Sequence, residues 1–130
     1  MRLDRGDLLL ESILDIIKKN DIRDGAVLTA AGTLQDCTFH AVASISAKPE
    51  EHFTTIKGTP MEILGISGII ADGEPHLHMT LSRTDGTAFG GHLEKGCKAL
   101  YRVELTIAKF SGVALARKVS KDGVPVMQAK

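Results

Sequence analysis

Three of the five histidines, His76, His78 and His92, fall within residues 75–93, and imidazole is the side chain most often recruited to transition-metal ions. Pro75 to Arg83 alternates apolar and polar residues, and Thr87 to Leu93 is a second strand. Between them, Thr84-Asp85-Gly86 makes a three-residue hairpin loop with glycine at the left-handed position. Histidines two apart on a strand share a face. With Arg83 opposite Thr87, counting back sets His78 opposite His92, and His76 becomes a diagonal neighbour. Three neutral imidazoles converging on one point suit Zn²⁺ or another late first-row divalent ion and leave an open position for water. The expectation depends on register, because a two-residue loop would set Met79 opposite His92 and turn His92 to the other face. The competing reading is that the three are hydrogen-bonded polar residues in a subunit contact. His40 and His52 stand apart in sequence and read as surface or loop residues.

Other chemistry is thinner. Cys97 follows Gly96 between Lys95 and Lys98, a setting that lowers a thiol pKa, although a buried or merely free thiol is the simpler reading. Glu62 lies in an otherwise apolar strand, and Glu94 closely follows His92; either would serve as an acid or base if the fold set it beside the metal. Ser67, Ser82 and Ser111 sit in no nucleophile-elbow pattern, and Gly90-Gly91 lacks the strand–loop–helix setting of a phosphate loop.

The elements that must position these residues are mostly strands. Residues 7–19 read as the main helix, with Leu8, Leu9, Ser12, Ile13, Ile16 and Ile17 on one face, Asp7 as N-cap and Asn20-Asp21 as the stop. Ala26 to Gly32 reads as one small-residue strand, ended by a turn or close backbone approach at Gly32, and residues 36–46 as a second. Strands follow at His52–Lys57 and at residues 61–71. Residues 94–100 read as a short helix or loop. Tyr101, Val103, Leu105 and Ile107 share one face of a further strand, and a last ribbon runs from Val113 to Val126 around Lys121-Asp122-Gly123. One good helix among many short strands predicts an α+β, mainly antiparallel fold.

Length and composition bound the possibilities. The 130 residues fit one domain spanning 1–130, and apolar (43%) and charged (25%) fractions are ordinary for a globular protein. Sixteen basic and sixteen acidic residues give zero formal net charge, against a general affinity for nucleic acid. Two cysteines without a secretory signal are expected as thiols in the cytoplasm, and no apolar run approaches a membrane span.

Several stretches resemble one family: RLDRGDLLLESI, IRDGAVLTAAGTLQDCTF, GTPMEILGISGII, DGEPHLHMTLSRTDGTAFGGHL and the closing VELTI. They resemble, in order and over nearly the whole chain, the plant and prokaryote conserved (PPC) domain, whose stand-alone prokaryotic members often carry the label of predicted DNA-binding proteins. PHLH followed by GGHL is the most telling part. The resemblance implies a mixed, mainly antiparallel sheet of about seven strands with one main helix packed on it, and a homotrimer as the usual assembly. It implies that His76, His78 and His92 match the prokaryotic histidine pattern that can hold a metal. It also implies that Met61, Glu62, Ile63 and Leu64 correspond to a segment linked to partner interaction in plant members. Those members bind A·T-rich DNA through a separate Arg-Gly-Arg hook; here Arg5-Gly6 is followed by Asp7.

Three functional readings result. The first is a metal-binding homotrimeric module acting through a protein or small-molecule ligand. The second is a DNA-associated regulator, needing a basic face that Lys109, Arg117, Lys118 and Lys121 would have to supply. The third is a metal-dependent hydrolase or lyase using the open metal position to activate water.

Overall fold

The computed structural model describes residues 1–130. Its elements run β1 (Arg2–Asp4), α1 (Leu9–Lys19), β2 (Gly25–Val42), β3 (Glu51–Ile56), β4 (Met61–Ala71), β5 (Glu74–Ser82), β6 (Ala88–Leu93), β7 (Lys98–Lys109), β8 (Leu115–Val119) and β9 (Pro125–Ala129). Seven strands form one sheet in the order β1-β7-β2-β4-β5-β6, with β3 on β2, and β8 and β9 pair separately. Every strand pairing is antiparallel. One helix on a seven-stranded antiparallel sheet is the α+β architecture expected. No helix is long and apolar enough to cross a membrane.

The helix buries Leu9, Ile13 and Ile17, which recur at helical spacing. Its start differs from expectation. Leu8 occupies the cap position without a side-chain hydrogen bond, and the Leu9 amide donates to the Cys97 carbonyl instead. Asp7, expected as the cap, accepts the Asp4 amide at 2.8 Å. The end matches: the Asn20 amide and side chain both donate to the Ile16 carbonyl.

The two strands expected between residues 26 and 46 are one, β2, which passes through Gly32 without turning. Bulges along its pairing with β7 bend it. They also move Tyr101 out of its expected face, so that it stands exposed while Val103 and Leu105 are buried. Strand β2 is the spine of the molecule. It pairs with β4 through residues 25–34, with β3 through residues 37–42, and with β6 at Phe39 and His40. Because β4 pairs with β5 and β5 with β6, the β2–β6 contact closes β2, β4, β5 and β6 into a ring. Its inward residues, among them Leu34, Ile66, Leu77, Met79, Leu81 and Leu93, join the helix's buried face in one core. Removing edges in this way also removes sites of unwanted strand addition.

Candidate metal centre on the outer face of the sheet

The three-residue loop forms as expected, with the Arg83 amide donating to Thr87 and Gly86 at φ +84°. His78 therefore sits directly opposite His92. Alternation does the rest. Leu77, Met79 and Leu93 point into the core, so His76, His78 and His92 point outward. The same alternation acts at the closure of the ring, where Phe39 pairs with Leu93 inside and His40 pairs with His92 outside.

His40 is consequently no isolated surface residue, which corrects the reading from sequence. Its ring stacks on that of His92, 4.4 Å between centroids. One register row runs Phe53, His40, His92, His78 and Ser67 across β3, β2, β6, β5 and β4. Local sequence carried no sign of this, because His40 and His92 meet only through the ring closure. Gly91 permits it: a Cβ there would overlap the His40 carbonyl oxygen, so a larger residue would force β6 away from β2. His52 lies on β3, exposed, outside the cluster.

Glu94 anchors one end of the row. Its Oε1 lies 2.7 Å from His40 Nδ1 and 2.9 Å from His92 Nδ1. A carboxylate only accepts, so both Nδ1 atoms carry the proton, and in the neutral rings each Nε2 keeps its lone pair. The His40 Nε2 lies 3.6 Å from Glu51 Oε1, whereas no hydrogen bond or ion pair engages His92 Nε2. At the other end, His76 Nε2 and His78 Nε2 are 3.3 Å apart. Two nitrogens bound tetrahedrally to one ion at ~2.0–2.1 Å would be separated by about 3.3–3.4 Å. The His76 and His78 rings lie 5.0 and 5.8 Å from His92, centroid to centroid.

His40, His92 and Glu94 hold ligand atoms within 4.8 Å of one another; His76 and His78 present a close pair of Nε2 atoms beside them. Both imidazoles of the His40, His92 and Glu94 group are committed to Glu94 through Nδ1. Burial and the positive charge of neighbouring groups hold His76 below the usual imidazole pKa. Burial also lowers His92, opposed by its bond to Glu94. The donor chemistry fits a divalent ion, because neutral imidazole is the ligating form.

The other sequence candidates scatter. Met61 and Ile63 are buried in the core, while Glu62 and Leu64 face outward on β4. Glu62 lines a polar cavity with Arg2, Asp4, Tyr101 and Arg102, away from the histidines. Lys109 donates to the Asn20 carbonyl at the end of the helix. Arg117 donates to the Ile69 carbonyl, and Lys121 lines a third region with Lys48 and Glu51. Lys118 is exposed on β8. Cys37 and Cys97 are unbridged and buried, and burial pushes the Cys97 thiol up to about 12. Flanking lysines therefore do not activate it.

A helix laid on a partly closed antiparallel sheet with a histidine-rich outer face defines the class. The chain belongs to the Plants and Prokaryotes Conserved (PCC) domain family, whose model matches residues 1–111. Two bifunctional GlmU proteins of Synechococcus strains are relatives; that of strain JA-2-3B'a(2-13) is 28% identical over 108 residues, 83% of this chain. The chain spans only 16% of the length of those relatives. Among solved structures, a plant- and prokaryote-conserved protein of Pyrococcus horikoshii is 26% identical with a TM-score of 0.82, over all of this chain and 90% of that one. The metal-containing protein AF0104 of Archaeoglobus fulgidus is 23% identical with a TM-score of 0.80, over 98% of this chain and 90% of that one. A candidate DNA-binding protein of Bacteroides thetaiotaomicron is 19% identical with a TM-score of 0.85, over 98% and 89%. These last two likenesses concern the fold.

Proposed function

We propose that this chain is a metal-binding module in which His76, His78 and His92 hold one divalent ion, Zn²⁺ by preference. The observation that carries the reading is the pair of Nε2 atoms 3.3 Å apart on β5, facing a His92 whose Nδ1 is occupied by Glu94. That spacing suits two ligands of a tetrahedral ion. The metal-containing description of the Archaeoglobus neighbour points the same way. Three protein ligands would leave a coordination position for a water or a small-molecule ligand. The ion would supply a Lewis acid there; Glu94 would orient His92, and His40 would stack behind it.

The homotrimer belongs to this proposal. Leu28, Leu64 and Tyr101 are more than half exposed on the adjacent strands β2, β4 and β7, apolar area that a second and third copy would cover. The DNA-associated alternative has less support. The four basic residues it needs are spread over β7, β8 and the hairpin turn, and two of them, Lys109 and Arg117, are engaged by backbone carbonyls.

Metal analysis of untagged protein, combined with light scattering, tests the reading. About one ion per chain is expected in the wild type, with loss in His78→Ala and retention in His40→Ala, as for three ligands and a supporting ring. Absence of metal from wild-type protein incubated with zinc would refute it.

A further inference from the structure

The β8–β9 hairpin lies beyond the residues that the family model matches, yet it is tied to the body at several points. The Leu115 amide donates to the buried Asp24 carboxylate at 3.2 Å. The Lys130 amine meets Asp72 at 2.8 Å, and Arg117 Nη2 donates to the Ile69 carbonyl at 3.1 Å. The last bond lays a guanidinium beside the histidine face. Arg117 lines a cavity of about 350 Å³ together with His76, His78, Ser67, Ile69 and Met127.

Two features of Arg117 are unexplained by its role as a clasp. None of the ion pairs of the molecule includes it. Its Nε is fully buried and has no acceptor. A buried donor on a charged group costs free energy when left unpaired. One carbonyl satisfies one arm of the fork and none of the charge. The guanidinium plane matches the paired oxygens of a carboxylate or phosphate group.

We propose that Arg117 and the ion held by His76, His78 and His92 together form a receptor for a small oxyanion, a carboxylate or phosphate group. One oxygen would take the ion's open position and another the guanidinium, with the Ser67 hydroxyl, opposite His78 on β4, as a further donor. This inference rests on the metal reading above. Its ligand class follows from the charges alone: a divalent ion on neutral imidazoles beside an unpaired arginine leaves the cavity with a surplus of positive charge. The hairpin thereby supplies a specificity element to a site built by other strands.

The test is calorimetric titration of zinc-loaded protein with inorganic phosphate and, separately, with acetate, in the wild type, Arg117→Gln and Arg117→Lys. Zinc stoichiometry is measured on the same samples. Glutamine is too short to reach the Ile69 carbonyl, so wild-type zinc content in that variant shows that the fold and metal site survive loss of that bond. The expected result is binding of at least one anion, weakened about tenfold or more in Arg117→Gln and partly restored in Arg117→Lys, as for loss of a charge-assisted pair. Binding of phosphate only, or of acetate only, identifies the group recognised. Zinc-loaded wild type that binds neither anion at millimolar concentration, or Arg117→Gln that binds as the wild type does, overturns the inference and leaves the metal site standing. Wild type that holds no zinc overturns both.

Discussion

Replacing Glu94 with glutamine separates the two ligand sets. Glu94 Oε1 accepts from His40 and His92 at 2.7 and 2.9 Å, and glutamine preserves the length and an accepting oxygen. What disappears is the charge. A hydrogen bond to a charged group contributes ~1.5–3 kcal/mol, against ~0.5–1.5 for a neutral one, so each bond loses about 1 kcal/mol. The two together lose about 2 kcal/mol before screening. The carboxylate is 27% exposed and its partners 14% and 26%, which moderates the figure to about 1–2 kcal/mol. If Glu94 acts by orienting His92, Glu94→Gln should therefore weaken zinc binding about 5- to 30-fold.

The assay is competition for zinc against a chromophoric chelator, run beside His78→Ala and His40→Ala. Wild-type affinity in Glu94→Gln would refute the orienting role. Loss beyond about a thousandfold would point to direct ligation. If His40→Ala then proved as damaging as His78→Ala, the ion would lie between His40, His92 and Glu94, and the assignment to His76 and His78 would be wrong.

Two further outcomes are expected. Burial pushes Cys97 up to about 12 and also raises Cys37, so at pH 8, well below the Cys97 value, its thiol is protonated; native protein should react with neither thiol equivalent of a disulfide reagent until unfolded, and rapid labelling of the folded chain would refute the burial argument. Gly91→Ala would set a Cβ against the His40 carbonyl oxygen; a loss of ~1–3 kcal/mol in denaturant unfolding is expected, with weaker zinc binding, and an unchanged midpoint would show that β6 need not approach β2 so closely.

What could be read from the sequence was whatever a short range determines. The hairpin register follows from the length of one loop and the two-residue period, so His78 opposite His92 was legible from residues 78–92 alone. The helix was legible because Ile13 and Ile17 recur on a face that tertiary contacts only confirm. Its cap was not, since the Leu9 amide is satisfied by Cys97, far along the chain. Nor was the length of β2: Gly32 looks like punctuation in one dimension, but β4 and β7 pair on either side of it and carry the strand through. His40 was misplaced for the same reason. Its neighbours are set by ring closure, a contact between β2 and β6 with no local signature.

The construction couples the candidate site to stability more tightly than a loop-borne site would. Each outward histidine has an inward core neighbour one residue away: Phe39 beside His40, Leu77 between His76 and His78, and Leu93 beside His92. A one-residue slip of any of these strands would expose the apolar set and bury the imidazoles together. Burying the core therefore also fixes the face on which the histidines stand, before any ion arrives. What the core does not fix is the aim of each ring, and there the fold adds Glu94 behind His92 and His40. The His76 and His78 rings, with Nε2 atoms 3.3 Å apart, would lose less freedom on binding than free side chains. The ion would then be bound by a surface already arranged for it, beside the cavity that His76, His78 and Arg117 line.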